Sequence, residues 1–268
     1  MSDQIKELKK KLSDVYTNFF SLKDKKAVVV GGNRGLGQAM ALGLAGAGAD
    51  VCIVARGPEG LDETADLISQ TGRKGHAIPC DVTVEDNVAQ MKEEAERLLG
   101  GIDILINSQG RVALAPIADF DTDEWQKIVD VNLKSVYLCC KHIGRTMLKQ
   151  KKGKIINISS VRGFQARAED PAYAPTKGAV NQLTRSLAIE WGVQGINVNG
   201  IAPVFTLTKM SASYLEDKEK RDWVLSRIPM KRVGQLDDLI GPAIFLSSEA
   251  SNFINGHILI VDGGWLAA

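Results

Sequence analysis

The 268-residue sequence predicts a single α/β domain in which a parallel sheet is covered on both faces by helices. Three observations carry this. From Lys26 onward, short β-branched runs alternate with longer amphipathic segments; a glycine-rich turn joins the first run to the first helical segment; and the length suits one sizeable core better than two full domains. No internal repeat, low-complexity tract or interdomain linker interrupts the pattern.

Before Lys26, the residues Ile5, Leu8, Leu12, Val15 and Phe19 recur at three- and four-residue steps beside lysines. This spacing predicts an amphipathic helical arm over residues 1–21, packed on its own fold or anchored to a membrane or partner subunit, ahead of one domain over 22–268. Strands are expected over 27–30, 51–55, 76–80, 104–107, 154–158, 197–201 and 257–261. Their seven runs are rich in Val and Ile, as strands buried on both faces require. Helices are expected between them, among others over 37–45, 84–99, 123–149 and 174–190. A charged helical stretch over 206–226 has the place of a lid above the site.

Composition narrows the function. Basic and acidic residues number 33 and 32 and are scattered through both halves, which leaves no electrostatic footprint for nucleic acid. The cysteines Cys52, Cys80, Cys139 and Cys140 show no metal-ligand spacing and read as reduced core residues; no metal is expected. With no secretory leader pattern and no run of transmembrane length, a soluble cytoplasmic protein is expected.

The first strand runs into Gly31-Gly32-Asn33-Arg34-Gly35-Leu36-Gly37, a G-x-x-x-G-x-G turn opening an apolar helix. Glycines at Gly31, Gly35 and Gly37 allow close backbone approach, and the helix N-terminus offers amide donors to a pyrophosphate, so the fold is expected to be Rossmann-type and doubly wound. The second strand ends at Ala55-Arg56, without the carboxylate that would bind a ribose 2′-hydroxyl. Arg56 and Arg34 instead suit a 2′-phosphate, so NADP(H) is preferred, with NAD(H) possible.

Tyr173 and Lys177 stand four residues apart, on one face of a helix, and Ser160 lies thirteen residues upstream. Tyrosine ordinarily titrates near pH 10, and bringing it down by ~3 units takes roughly 4 kcal/mol of phenolate stabilisation. Lys177 is the candidate source. Such a group transfers a proton to or from a carbonyl oxygen.

Together these motifs, over residues 22–266, resemble the short-chain dehydrogenases and reductases. The resemblance implies catalytic roles for Asn132, Ser160, Tyr173 and Lys177, with Asn132 holding a water that links Lys177 to solvent and Lys177 also binding the nicotinamide ribose. It implies further cofactor contacts from Asp81 and Val82, from the turn Asn107-Ser108-Gln109-Gly110, and from Pro203, Thr206 and Thr208. It also implies a homotetramer built on the helices over 123–149 and 174–190 and the last strand. A catalytically silent cofactor-binding scaffold would have lost some of the four catalytic groups, and all four are present.

The sequence departs from the family at Val30, where threonine is usual, at Ser108-Gln109, where Asn-Ala is usual, and at Val204, where glycine is usual. Within the family, Val261-Asp262-Gly263-Gly264-Trp265 and the segment from Gly35 to Leu44 look like the gluconate 5-dehydrogenase and 2-deoxy-gluconate 3-dehydrogenase group. The resemblance thus implies alcohol–ketone interconversion on a sugar acid, keto sugar or polyol. Only Arg111 stands where that group usually carries paired arginines; Arg162 and Arg167 are substitutes, opposed by Glu169 and Asp170. A less polar ketone or 3-oxoacyl substrate is the alternative. Trp223 and Trp265 could line the pocket.

Overall fold

Alternate residues of β1 (Lys26–Val30) turn to opposite faces, and all of them after Lys26 are buried. Ala27 and Val29 enter one apolar cluster, Val28 and Val30 the other, so the sheet has a core on each side. The computed structural model describes Ile5, Lys9, Lys11, Leu12 and residues 14–268, with backbone alone at Met210. After β1 come α1 (Gly35–Gly46), β2 (Asp50–Ala55), α2 (Leu61–Gln70), β3 (Gly75–Pro79), α3 (Glu85–Leu99), β4 (Ile104–Asn107), α4 (Thr122–Val129) and α5 (Ser135–Gln150). Then follow β5 (Gly153–Ile158), α6 (Tyr173–Trp191), β6 (Ile196–Pro203), α7 (Lys209–Glu216), α8 (Lys218–Arg227), α9 (Ile240–Ser247) and β7 (Ile258–Val261).

All pairings are parallel, in the order β3-β2-β1-β4-β5-β6-β7. This is the expected seven-stranded, doubly wound Rossmann-type sheet. Met40, Leu44, Ile68 and Leu246 bring α1, α2 and α9 onto one face, while Val88, Met91, Cys139, Val180 and Trp191 bring α3, α5 and α6 onto the other. Each fully buried Val, Leu or Ile contributes about 1.5–3 kcal/mol. Two glycines set close helix contacts: a Cβ on Gly43 would lie 2.6 Å from Ile240, and one on Gly144 would lie 2.6 Å from Trp191.

Strand order reverses between β1 and β4, whose outgoing loops part to opposite sides and open a crevice at the carboxyl ends of the strands. A third apolar cluster, with Val161, Val204, Leu215, Val224, Ile228 and Trp265, roofs that end. The stretch expected as a lid is two helices, α7 and α8, separated at Asp217, whose side chain caps α8.

The helix expected over 123–149 is interrupted. A single π turn, Asp130–Lys134, separates α4 from α5. Such turns insert a residue without breaking the axis and often mark functional positions; here the turn carries the fully buried Asn132. At the start of the chain, Ile5, Lys9, Lys11, Leu12 and Val15 are helical, and the π turn Tyr16–Phe20 packs near Glu249–Ser251. Ile5, Leu12 and Val15 are exposed, so they do not pack on this domain; Leu8, part of the same expectation, lies outside the described residues. Cys52, Cys80, Cys139 and Cys140 are free and buried as expected, and burial pushes the Cys52 and Cys140 thiols up to about 12. Among the described residues no helix is long and apolar enough to cross a membrane.

Candidate active site

The glycine turn is built for close approach. Gly31 and Gly35 have φ of 75° and 56°, which side-chain-bearing residues rarely adopt, and a Cβ on Gly37 would stand 2.0 Å from the Gly31 carbonyl. Across the crevice, a Cβ on Gly31 would meet the Ser108–Gln109 backbone at 2.9 Å. Leu36 and Gly37 lie in the first turn of α1, where free amides and the helix dipole face the crevice. Val30, buried in the core, needs no polar support for the turn, because the Gly31 amide donates to the Val54 carbonyl at 2.7 Å.

Arg34 and Arg56 are exposed on either side of this turn and have no ion-pair partner among the described residues. Asn33 is spent on structure: its amide donates to the Glu59 carbonyl at 2.8 Å and holds the loop after β2. Asp81 accepts from the Thr83 hydroxyl at 2.6 Å and amide at 3.0 Å, and these bonds hold its carboxyl below the usual range. Val82 follows it, nearly buried. A tight glycine cradle beside two unpaired arginines fits a dinucleotide carrying an extra phosphate.

Asn107 departs from expectation. Its side chain is buried in the core, donating to Asn157 Oδ1 at 2.9 Å and to Cys140 Sγ at 3.5 Å. As the last residue of β4 it points inward, so the crevice is bordered by the turn after it. Gln109 also folds away, donating to Ser135 Oγ at 2.8 Å. Gly110 does face the site: a Cβ there would lie 3.9 Å from Asn132 Oδ1 and 4.0 Å from Lys177 Nζ.

On the far wall, β6 runs through Pro203 and places Val204 against the roof cluster without positive φ, which is why valine is tolerated there. The Thr206 hydroxyl turns back to the Val204 carbonyl at 3.1 Å, so it is not a free donor. Thr208 caps α7 through a capping box with Ser211, and its methyl would lie 3.7 Å from a Cβ on Gly35. Thr208 thus spans the crevice.

Asn132, Ser160, Tyr173 and Lys177 converge on the floor. Ser160, two residues past β5, caps the turn Val161–Gly163 with its Oγ accepting the Arg162 amide at 3.1 Å, which leaves the hydroxyl proton to donate. Tyr173 opens α6, whose first turn is capped by Asp170 accepting from the Ala174 amide at 3.1 Å. Lys177, one turn on, donates to the Ile158 carbonyl at 2.8 Å, with its ammonium 5.6 Å from the Tyr173 ring centroid. Burial holds Lys177 down to about 8.

The partners of the site side chains bear on two roles read from the sequence. Lys177 is not among the groups that draw the Tyr173 phenol down; burial pushes the phenol up, helped by the charge of Asp170 and opposed by the Ser160 hydrogen bond and Arg162. The Asn132 side chain is largely committed to the protein, with one lone pair of Oδ1 left open to a donor such as water. Its Oδ1 accepts from the Arg111 amide at 2.7 Å, and its Nδ2 donates to the Arg111 carbonyl at 2.9 Å and to Thr176 Oγ1 at 3.1 Å. The amide therefore clamps the loop after β4 to α6. Thr176 and Asp170 were missed as supports; the signal was available in their positions within Asp170-Pro171-Ala172-Tyr173-Ala174-Pro175-Thr176.

Trp223 and Trp265 meet edge to face with centroids 5.6 Å apart, and Phe205 stacks on Tyr214 at 5.3 Å. Trp265 is fully buried and Trp223 is part of the exposed surface, so the roof is aromatic without either indole standing free in a pocket.

A family model described as Enoyl-(Acyl carrier protein) reductase matches residues 30–266. A gluconate 5-dehydrogenase of Gluconobacter oxydans is 39% identical over 93% of this chain and 97% of its own. A 2-dehydro-3-deoxy-D-gluconate 5-dehydrogenase of Bacillus subtilis is 42% identical over 92% and 97%. The crystal structure of a gluconate 5-dehydrogenase from Burkholderia cenocepacia, in complex with NADP and tartrate, superposes with a TM-score of 0.90 at 38% identity, covering 93% of this chain and 98% of that one.

Proposed function

The chain belongs to the short-chain dehydrogenase/reductase family, and from that premise we propose that it is an NADP(H)-dependent oxidoreductase interconverting a secondary alcohol and a ketone on a sugar acid. The observation that carries the reading is the convergence of Ser160, Tyr173 and Lys177 beside a glycine cradle flanked by Arg34 and Arg56. The bound nicotinamide supplies or accepts the hydride.

The chain's own residues supply the rest. Ser160 donates a hydrogen bond to the substrate oxygen and stabilises the charge that builds there. Tyr173, held protonated by its burial, passes its proton to that oxygen during reduction and takes it back during oxidation. Lys177 is fixed by the Ile158 carbonyl, keeps its remaining N–H donors for a ribose or water, and is poised near neutrality to pass a proton on. Asn132 acts by position, setting the Arg111 loop and α6 around Lys177.

The domain over 22–268 carries all of this, and the arm before it meets that domain at Glu249–Ser251. A homotetramer is supported by apolar side chains left exposed on the expected faces, Ile189 on α6 and Ile260 on β7, with Val193 and Phe253 beside them. A cytoplasmic location suits a metabolic enzyme of this kind. The aromatic roof favours one alternative, a less polar ketone.

The test is a spectrophotometric screen of NADPH oxidation against keto acids, keto sugars, aldehydes and cyclic ketones, run on the parent and on Tyr173→Phe. The expected result is turnover on a sugar keto acid that falls at least ~1000-fold in the variant while NADPH binding is kept, since the general acid and its hydrogen bond are both lost. Turnover retained by Tyr173→Phe would sink the mechanism.

A further inference from the structure

A sugar acid brings a carboxylate into the cleft, and three arginines stand near enough to meet it. Arg111, at the position the family resemblance favours, is already taken: its Nε and Nη2 hold both oxygens of Glu124 at 2.6 Å and 2.8 Å. Arg167 lies with its guanidinium 5.6 Å from the Tyr214 ring. Arg162 is different from both.

Arg162 is only 8% exposed, yet among the described residues its guanidinium has no ion pair. Nη1 donates at a long 3.4 Å to the Ala166 carbonyl, and Nη2 is buried with no hydrogen-bond partner. The nearest carboxylate, Asp170, is also buried and is committed to the Ala174 amide. Burial and the neighbouring Arg167 hold the guanidinium below its usual range. A buried cation with unmade hydrogen bonds is costly, and a ligand that completes them recovers that cost.

Its place decides which ligand. The Arg162 amide donates to the Ser160 hydroxyl, so this residue follows directly from the group that meets the substrate oxygen. Its guanidinium lies over Trp265, 5.6 Å from the ring, beneath the roof that α7 and α8 complete, with Tyr173 and Tyr214 as its electrostatic neighbours. The Trp265 ring, which the Arg227 guanidinium also approaches at 5.6 Å, supports the planar fork, and the unpaired Nη2 keeps the donors that a carboxylate takes up in two parallel hydrogen bonds.

Resting on the sugar-acid reading above, we propose that Arg162 is the specificity residue that binds the substrate carboxylate, in place of Arg111. The carboxylate then lies at the roof end of the cleft, and the reacting carbonyl lies at Ser160 and Tyr173.

Steady-state kinetics with NADPH tests this on two substrates, 5-keto-D-gluconate and L-sorbose, which carries a hydroxymethyl group where the acid has its carboxylate. Parent, Arg162→Met, Arg162→Lys and Arg111→Met are compared. Arg162→Met is expected to lower kcat/KM for the keto acid about 100-fold, chiefly through KM, as loss of a charge-assisted pair requires. Its rate on L-sorbose and its Kd for NADPH are expected to stay within about 3-fold, because methionine keeps the apolar packing on Trp265 and neither ligand brings a carboxylate to this position. Arg162→Lys recovers part of the loss, and Arg111→Met keeps the parent's preference for the acid.

An Arg162→Met enzyme that keeps the acid preference overturns the proposal, as does an equal fall on both substrates or loss of the preference in Arg111→Met alone. A parent with no preference for the keto acid over L-sorbose would instead sink the sugar-acid reading itself. Should Arg162→Met fail to bind NADPH, Arg162→Lys with tartrate as a competitive dicarboxylate probe carries the test. Inhibition weakened about 10-fold is then expected, and unchanged inhibition refutes the assignment.

Discussion

Replacing Lys177 by methionine is expected to make the ligand-free protein more stable at pH 7 while abolishing turnover. Lys177 is 4% exposed, and burial alone takes its pKa from the usual 10.5 to about 8. Between those two values the unfolded chain holds a proton that the folded chain releases, so stability rises with pH through that window. Below about pH 8 the full charging penalty stands, worth roughly 3 kcal/mol. Methionine keeps the length and removes the charge, at the loss of the Ile158 hydrogen bond, about 1 kcal/mol. The net gain is about 2 kcal/mol at pH 7, or about 4–8 °C in Tm for a chain of this size. At pH 9.5 the penalty in the parent has mostly gone, and the two proteins are expected to agree within about 0.5 kcal/mol. Other titrating groups are common to both proteins and cancel. Urea and thermal unfolding of the ligand-free proteins at both pH values measure this directly. A variant less stable than the parent at pH 7, or a gap that does not change with pH, would refute the reasoning.

Two further outcomes bear on the cofactor. Arg34→Ala and Arg56→Ala are each expected to lower kcat/KM for NADPH about 10- to 100-fold while changing that for NADH only a few-fold, because each removes one charge-assisted phosphate contact; a parent that prefers NADH contradicts the reading of both arginines. Gly37→Ala places a Cβ 2.0 Å from the Gly31 carbonyl, a backbone atom that cannot yield without moving the turn. Loss of NADPH binding by fluorescence titration is expected, with about 1–3 kcal/mol of destabilisation, and near-parental affinity would show that the turn is not the cradle.

What was legible in the sequence was whatever periodicity and backbone chemistry dictate. The strands Val51–Val54 and Ile104–Ile106 are buried on both faces, so their apolar runs are unbroken and seven strands follow in order. The glycine turn was legible because a φ of 75° together with a 2.9 Å approach to the Ser108–Gln109 backbone leaves no room for a side chain at Gly31. What the sequence could not show was how polar groups are spent. Asn107 and Asn132 look alike as asparagines at the edge of a site, yet one is a core bridge to Asn157 and the other a clamp on Arg111. The π turn at Asp130–Lys134 was invisible for a related reason. Inserting one residue into a helix leaves the apolar pattern of 123–149 nearly intact on either side, so periodicity continues across it.

The floor and the roof of the cleft therefore carry different kinds of information. On the floor, β5 and α6 are packed against the sheet, so Ser160, Tyr173 and Lys177 are fixed by elements that the whole core holds in place. The roof is a small separate cluster around Trp265, joined to the floor mainly through the segment from Val161 to Asp170. Arg162 belongs to that segment and is buried with its Nη2 unpaired, whereas Arg111 is satisfied by Glu124. Asn107 Oδ1, Gln109 Oε1 and Asn181 Oδ1 are unmet acceptors, whereas the unmet cationic donor near the site lies in the roof, where the acid end of a substrate can complete it while the catalytic hydroxyls below remain unchanged.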